Sequence, residues 1–329
     1  MRATVAAALF VVAAHAADAG AQSFFTEVDV TVGHSTEDVQ AAGTQVRAFG
    51  EGPKKWRLFA EASWADVWGP TSDAFGAAYP YNNKFRLMEA FVERTMTGRR
   101  MILGTRLGRY RTPFGIYNRS DHAYTGFLRA PLIRYGGYWA LSNNFLETGA
   151  SVVGGIPQLQ AEVSLGMPQD EDIQRRRRGF DRVARLQSTF GALIVGGSYI
   201  LTQPSEERPF AQGDTEFLGV DARWMRSGIQ VRGEWIDGRS FDGTRTYGGY
   251  ADLIVHQPFM GPVTAVARAE KLDYLAGRRS SFPRRYTTGA RVRLASMLVA
   301  HVNAIHEPAY DQQRSNTSLD VALTFTARR

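Results

Sequence analysis

Apolar and polar side chains alternate along most of this chain, in segments of about ten residues that follow one another up to the C-terminus. In the first segment, Val28, Val30 and Val32 fall on one face of an extended chain. Glu27 and Asp29 fall on the opposite face. Because alternation with period two gives a β-strand one apolar and one polar face, the pattern predicts a long series of half-apolar strands.

Sixteen segments show this alternation, which predicts sixteen strands. They cover residues 24–32, 44–51, 56–67, 84–95, 100–108, 145–154, 158–166, 181–190, 193–202, 217–225, 229–236, 247–256, 263–272, 286–295, 298–306 and 318–326. An even number of strands of about 9–11 residues suits a barrel that crosses a bilayer. Strand bounds inferred from one sequence are imprecise, so the pattern also fits a count of roughly 14 or 18 strands.

The connections between the segments alternate between short and long. Those after the even-numbered segments are short, whereas those after the odd-numbered segments are mostly longer and polar, such as residues 68–83, 167–179 and 273–285. Outer-membrane barrels have this asymmetry, with short periplasmic turns and long extracellular loops. A soluble β-sandwich has no reason to alternate in this way. The sequence therefore predicts an all-β fold, a transmembrane antiparallel β-barrel of about 16 strands.

The N-terminus has the pattern of a secretory signal peptide, residues 1–21. Arg2 supplies the positive charge, and an apolar run of about twelve residues follows it. This run is shorter than the roughly 20 residues that span a bilayer as a helix. Small residues predict cleavage after Ala16 or Ala21, which leaves residues 22–329 as a single barrel domain. We expect such an exported chain in the bacterial outer membrane.

Composition and charge narrow the possible chemistry and partners. The chain has no cysteine, which excludes disulfides, thiol catalysis and thiolate metal sites. Its formal net charge is +7, and nearly all of its basic residues are arginine. An exported protein rarely meets nucleic acid, so we expect the anions that it meets to be lipid and lipopolysaccharide phosphates and small solutes. The run Arg175 to Arg178 either binds lipopolysaccharide phosphates or forms a solvated loop.

The final segment carries an expected assembly signal. Outer-membrane barrels commonly end on an aromatic residue in their last strand, and here Phe325 closes the apolar face. We expect the barrel assembly machinery to recognise Phe325. Arg328 and Arg329 then trail into the periplasm.

The longest connection, residues 109–144, follows the fifth segment and is called the third loop. Connections of this length are uncommon in compact domains and are usually functional. A barrel of about 16 strands is too wide for its wall side chains to fill, so it contains water, and an inward-folded loop can narrow the channel. The third loop has aromatic residues that can pack on the inner wall, and five arginines against one acid. The alternative is an extracellular loop that folds over the rim.

Residues 107–115, with the sequence LGRYRTPFG, resemble a known family. The glycine, the basic residue and the Pro113-Phe114-Gly115 step are similar to a stretch of the phosphate-selective porin O and P family and related porins. In that family the stretch opens the inward-folded constriction loop. The resemblance implies a trimeric 16-stranded porin whose arginines and lysines guide anions through the pore. The chain departs from the family in its shorter length and its few lysines.

These patterns predict a porin, a water-filled channel for passive diffusion of small hydrophilic solutes, anionic or neutral, with a weak preference for anions such as phosphate. The side chains expected at the pore constriction are Arg109, Arg111, Arg119, Asp121, Arg129, Arg134 and Glu147. The bases expected on the lumen wall include Arg57, Arg106, Arg232, Arg268, Arg291 and Arg293. The acids expected there, many of them paired across strands, include Glu61, Glu89, Glu93, Glu234, Glu270 and Asp320. Since the predicted wall has more acids than bases, the preference for anions rests on the loop arginines.

Two other functions fit a barrel, a lipase-like or protease-like hydrolase and a non-conducting barrel for anchoring or adhesion. A hydrolase needs a base close to a nucleophile. The candidates are His34 with Ser35, the cluster at residues 118–122, and the pair His301 and His306. His301 and His306 differ by an odd number, so we expect them on opposite faces of their strand. We assign no catalytic residue, cofactor or metal, because the sequence shows no metal-ligand spacing and no phosphate-binding glycine loop.

Overall fold

The computed structural model describes residues 23–52, 55–69, 75, 84–98, 100–117, 125–134, 146–168, 180–202, 214–240, 243–256, 261–275, 282–310 and 313–329. Sixteen β-strands run through these residues. They are β1 (Ser23–Ser35), β2 (Val39–Glu51), β3 (Trp56–Trp68), β4 (Lys84–Thr97), β5 (Ile102–Arg111), β6 (Leu146–Ile156), β7 (Leu159–Pro168), β8 (Asp181–Phe190), β9 (Leu193–Thr202), β10 (Thr215–Arg226), β11 (Ile229–Arg239), β12 (Arg245–Val255), β13 (Val263–Leu275), β14 (Arg284–Ala295), β15 (Leu298–Glu307) and β16 (Asn316–Arg328).

Each strand pairs in antiparallel fashion with its neighbours in sequence, and β1 also pairs with β16. The sheet is therefore a closed barrel without a free edge. At the closing seam, Val30 of β1 lies opposite Phe325 of β16, and Glu27 lies opposite Arg328. The predicted fold class, an antiparallel barrel of 16 strands, is confirmed.

The strand bounds agree closely with the alternation pattern. β8 and β9 begin and end at the predicted residues. β2 is longer than predicted, since it begins at Val39 rather than at residue 44, and the connection before it is a tight turn instead of a longer loop. The first residues of β2 form ladder hydrogen bonds but lie beyond the lipid-facing part of the wall, where outward side chains must be apolar. The alternation pattern therefore underestimates the length of the strand.

The two faces of the wall differ as the alternation predicts. In β1, Val30 is 42% exposed and Val32 is 52% exposed, because they point out of the barrel. Glu27, Asp29 and Thr31 point inward and are buried. The outer face is therefore an apolar belt, and the polar groups of the wall are collected inside, where they can pair with one another.

Met88 of β4 departs from the predicted alternation. The pattern of this strand places Met88 outside with Ala90, but Met88 is buried, with 1% exposure. The pairing of β3 with β4 shifts between Glu61 and Ala62, so that Glu61 pairs with Glu89 and Ala62 with Leu87. This irregularity gives β4 one extra residue and reverses the faces on its extracellular side.

One short 3₁₀ helix, Leu132–Arg134, lies in the third loop between β5 and β6. No helix in the described part of the chain is long and apolar enough to cross a membrane. The ends of β5 and β6 set the observed bounds of the third loop at residues 112–145. Within these bounds, the structure describes residues 112–117 and 125–134.

Candidate functional site

The described residues of the third loop lie against the inner wall of the barrel. Residues 112–117 and 126–134 are all buried. Three groups of contacts join them to inward-facing side chains of the strands. Each group uses backbone groups or arginines of the loop and carboxylates, hydroxyls, amides or guanidiniums of the wall.

The first group of contacts surrounds Gly115. Its N–H donates to Ser198 Oγ of β9 at 3.1 Å, and the Tyr117 N–H donates to Glu234 Oε2 of β11 at 3.3 Å. The Gly115 backbone has φ +66°, and a Cβ at this position would overlap the Glu234 carboxylate. Glycine is therefore required here for its left-handed backbone and for the close approach to the wall.

Phe114 and Arg134 complete the first group. The Phe114 ring packs over Gly219 of β10, where a Cβ would lie 2.8 Å from the ring. Arg134 pairs with Glu234, and both side chains are fully buried. The Arg134 guanidinium also lies 5.8 Å from the centroid of the Tyr117 ring. Burial raises the pKa of Tyr117 to about 12, so its hydroxyl is neutral at physiological pH.

The second group of contacts is built on Arg129. Its guanidinium binds Asp320 of β16 through two hydrogen bonds, Nε to Oδ2 at 2.8 Å and Nη2 to Oδ1 at 3.0 Å. Nη2 also donates to Glu37 Oε2 at 2.7 Å. Beside it, the Leu128 N–H donates to Asn303 Oδ1 of β15 at 2.8 Å. These contacts attach the loop to the strands next to the closing seam.

The third group of contacts holds the start of the 3₁₀ helix. The Leu132 N–H donates to Glu270 Oε2 of β13 at 2.7 Å. Arg285 of β14 binds Glu270 through Nε at 3.0 Å and donates to the Ala130 carbonyl. Arg268 of β13 donates to the Arg129 carbonyl at 3.0 Å. Charged wall side chains therefore satisfy backbone groups that the irregular loop cannot pair by itself.

The wall strands β1 to β5 carry a separate group of paired charges. Arg47 donates to Glu27 at 2.6 Å and to Glu61 at 3.2 Å. Arg111, the last residue of β5, donates to Glu61 at 2.7 Å and to Glu89 at 3.1 Å. The two arginines thus share Glu61 and join five strands at the level where the third loop begins.

Glu93, Arg57 and Arg106 are paired more loosely and retain exposure. Glu93 lies 3.6 Å from Arg57 Nη1 and 3.2 Å from Arg106 Nη2. The Arg57 side chain is 44% exposed, and the Arg106 side chain is 28% exposed. These charges lie inside the barrel and face water, so a solute that crosses the lumen can meet them.

The structure assigns different surroundings to the residues expected at the constriction. Arg111, Arg129 and Arg134 are held in the ion pairs given above. Arg109 is partly buried, and its Nε donates to the Met88 carbonyl at 3.3 Å. Glu147 is buried on β6, where it accepts a hydrogen bond from Ser164. Arg119 and Asp121 lie outside the described residues. The role of all seven as solute guides stays a prediction.

The bases expected on the lumen wall differ in their exposure. Arg232 and Arg268 are buried and both bind Asp252, at 2.9 Å and 2.6 Å. Arg57 and Arg106 face water, as described above. Arg291 is half-buried, and Arg293 is exposed near the turn between β14 and β15.

The alternation pattern found the wall acids of the site but not their partners in the third loop. Glu234, Glu270 and Asp320 were expected inside the barrel with partners on neighbouring strands. Each of them binds a residue of the third loop. Glu270 in addition has the expected kind of partner, Arg285 on the neighbouring strand β14. The sequence did not predict a role for Asn303 or Gly219. An amide or a glycine on the inner wall has no recognisable role until the position of the third loop is known.

The hydrolase candidates in the described part of the chain are not assembled into a base and a nucleophile. His34 is exposed and Ser35 is buried, since neighbouring strand residues point to opposite faces. His301 is buried in the lumen and His306 is exposed, as the odd spacing predicts. The cluster at residues 118–122 lies outside the described residues. Among those residues, no group of three or more potential ligands is placed to hold a metal ion.

The barrel is similar to solved structures of outer-membrane proteins. Salmonella typhi OmpF, in a complex with daunomycin, matches with a TM-score of 0.65 and 11% identity over 93% of this chain and 97% of that chain. The anion-selective porin from Comamonas acidovorans matches with a TM-score of 0.62 and 13% identity over 93% and 99% of the two chains. Pseudomonas putida OprB matches with a TM-score of 0.65 and 8% identity over 96% of each chain.

These similarities establish the porin-like fold and nothing more. Sequence identities this low carry no information about the solute. No protein-family model and no curated protein sequence matches the chain. The resemblance of residues 107–115 to the phosphate-selective porin O and P family therefore stays a prediction.

Proposed function

We propose that this protein is a porin, a water-filled channel for passive diffusion of small hydrophilic solutes. The observation that carries the proposal is the closed barrel of 16 strands. Barrels of roughly 16–18 strands leave an aqueous channel. Inside this one, Arg57 and Arg106 still have side-chain exposures of 44% and 28% although they face the lumen. A closed wall with water-facing charges inside is the geometry that diffusion requires.

The proposed location is the bacterial outer membrane, reached after cleavage behind Ala16 or Ala21. Exposed apolar side chains on the outer face support it, for example Val163 at 61%, Leu186 at 53% and Leu253 at 44%. In water such a belt would be a large aggregation-prone surface, whereas in lipid it is solvated. Outer-membrane lipid, lipopolysaccharide and the barrel assembly machinery are the partners that follow from this location.

The proposed assembly is a homotrimer. Ala48, Ala60 and Ala90 lie directly opposite one another on the outer face of β2, β3 and β4. Three neighbouring alanines make this part of the outer wall flat, so that a second barrel can approach it closely, as small residues allow elsewhere in membranes. Chemical crosslinking in detergent should give a trimer band for the purified protein.

The third loop is proposed to narrow the channel. Its described residues are fixed to β9, β11, β13, β15 and β16 by the three groups of contacts. Because Arg129 and Arg134 are buried in ion pairs, we propose that they hold the loop in place. Among the described residues, Arg57 and Arg106 are then bases that a solute meets.

A weak preference for anions such as phosphate is part of the proposal. The support is the exposure of Arg57 and Arg106 together with the net charge of +7. Glu93 lies between the two arginines and offsets part of their charge, so the preference should be modest.

The test is planar-bilayer recording of the purified protein across a salt gradient. We expect stepwise ion conductance, with a reversal potential displaced modestly toward the equilibrium potential of the anion. A displacement toward cations keeps the channel and refutes the preference for anions. Absence of conductance refutes the channel and favours the anchoring or hydrolase function, which an assay of lipid hydrolysis then separates.

A further inference from the structure

Four phenylalanines form a continuous row on the inner wall of the barrel. Phe25 of β1 lies directly opposite Phe49 of β2, Phe49 opposite Phe59 of β3, and Phe59 opposite Phe91 of β4. The rings of Phe59 and Phe91 are 5.3 Å apart between centroids. This set, Phe25, Phe49, Phe59 and Phe91, is called the phenylalanine row.

The phenylalanine row faces the lumen and not the lipid. Each of its members is two positions from an inward-facing charged residue of the same strand, and side chains two apart share a face. Those charged residues are Glu27, Arg47, Glu61 and Glu89, which bind one another or Arg111 inside the barrel.

The row is open to the water of the lumen. Phe25 is 41% exposed, and the other three members are half-buried. On the opposite wall, by contrast, the lumen-facing Phe217 is fully buried. Apolar surface that faces water is unfavourable, so a row of partly exposed aromatic rings in a polar lumen marks a binding surface.

Two lines of charged side chains flank the row on the same face. On one side are Glu27, Arg47, Glu61 and Glu89, which lie opposite one another in the four strands. On the other side are Glu51, Arg57, Glu93 and Arg106, again opposite one another. The Arg106 guanidinium also stacks over Phe91, 4.8 Å from the ring centroid. Hydrogen-bonding groups of both signs therefore border the aromatic surface on both sides.

We propose that the phenylalanine row binds sugars, in the form of short chains of pyranose rings. The inference rests on the proposed channel, in which solutes pass along this wall. A pyranose ring has an apolar face of C–H groups that packs on an aromatic ring, and a rim of hydroxyls. Those hydroxyls can donate to the flanking carboxylates and accept from the flanking guanidiniums.

Length and charge both favour this class of solute. Three strand spacings of roughly 4.8 Å each make the row about 14 Å long, the length of a short chain of linked sugar rings. A simple anion such as phosphate gains nothing from the negative face of a phenyl ring. An acyclic polyol has the hydroxyls of a sugar but no rigid apolar face, which makes it the matched control solute.

The experiment measures block of the ion current by maltotriose in planar bilayers, with each protein compared with its own sugar-free current. We expect a saturable block of the wild-type channel and a much weaker effect of sorbitol. In the double variant Phe59→Ala and Phe91→Ala, the maltotriose concentration for half-block should rise about tenfold or more. Phe85→Ala, which removes an exposed ring from the outer face of the same strand β4, should leave the block as in the wild type.

The outcomes separate the sugar site from the channel. Normal conductance without any effect of maltotriose overturns the sugar site and leaves the porin intact. Equal block of the wild type and the double variant, or equal block by sorbitol, overturns stacking on the phenylalanine row. If the protein does not conduct, the porin proposal fails, and calorimetric titration of maltotriose into the detergent-purified protein decides binding. A saturable heat of binding in the wild type that is absent in the double variant supports the sugar site. Absence of any heat of binding in the wild type overturns it.

Discussion

Arg129 of the third loop forms a two-point ion pair with Asp320 of the last strand, with N···O distances of 2.8 and 3.0 Å, and both side chains are almost completely buried. Arg129 also binds Glu37, which lies between β1 and β2. The loop is thereby attached to both sides of the seam between β1 and β16. One arginine thus connects the position of the loop to the closure of the barrel.

Asp320→Asn should weaken this attachment and enlarge the channel. The variant leaves the buried Arg129 charge with Glu37 as its acidic partner, and loss of one partner of a buried pair costs on the order of 3–5 kcal/mol. We expect a higher and noisier single-channel conductance, and a lower temperature for the gel-mobility shift that accompanies barrel unfolding.

Asp237→Asn is the matched control for that variant. Asp237 pairs with Arg245 on the outside of the barrel, where their side chains are 42% and 60% exposed. An exposed pair contributes little to stability because water screens it, so both readouts should stay near the wild-type values. Wild-type conductance and stability in Asp320→Asn would contradict the proposed anchor.

Gly115→Ala should displace the first part of the third loop. The new Cβ meets the Glu234 carboxylate, and the φ of +66° is unfavourable for alanine. Gly191→Ala is the control, since Gly191 has φ +60° and open space around it. We expect both variants to lose about 1 kcal/mol through the backbone, but only Gly115→Ala to change conductance and protease sensitivity of the loop.

Arg57→Gln combined with Arg106→Gln should shift ion selectivity toward cations. The double variant leaves the Glu93 charge facing the lumen without its two neighbouring bases. Reversal potentials across a salt gradient measure the shift, and Arg245→Gln on the outer surface should produce none. If Arg129 and Arg134 guide solutes instead, the double variant will keep the wild-type reversal potential.

Val163→Arg should destabilise the barrel in lipid. Val163 is 61% exposed on the outer face near the middle of β7, and an arginine facing lipid at the bilayer midplane costs about 2–4 kcal/mol. Denaturant titration in lipid vesicles measures the loss, with Val163→Ala as the control for the missing valine packing. Equal stability of the two variants would contradict a lipid-facing position.

Phe325→Ala should reduce the yield of folded barrel in the outer membrane. Phe325 is 44% exposed on the outer face of β16 and lies opposite Val30 at the seam. Leu323→Ala removes an exposed apolar side chain from the same face of the same strand and serves as the control. The role in assembly requires that Phe325→Ala lowers the folded yield more than Leu323→Ala does.

The sequence predicted the fold well because the wall of a barrel is a local pattern. Lipid outside and water inside select every second residue, so alternation alone gave the bounds of β8 and β9 and the number of strands. The pattern failed at Met88, where a shift in the pairing of β3 with β4 reverses the faces. The extra residue reverses the phase of alternation within β4, so one phase applied to the whole strand puts Met88 on the wrong face.

Less of the site could be predicted from the sequence, since its contacts join distant parts of the chain. The sequence showed that the third loop is long, rich in arginine and opened by a Pro-Phe-Gly step. It also placed Glu234, Glu270 and Asp320 inside the barrel. Only the tertiary structure decided that Arg134 meets Glu234 and Arg129 meets Asp320, because alternation gives the face of a residue but not the loop that packs on it. The same holds for the phenylalanine row, whose four members become neighbours only when the register of four strands is fixed.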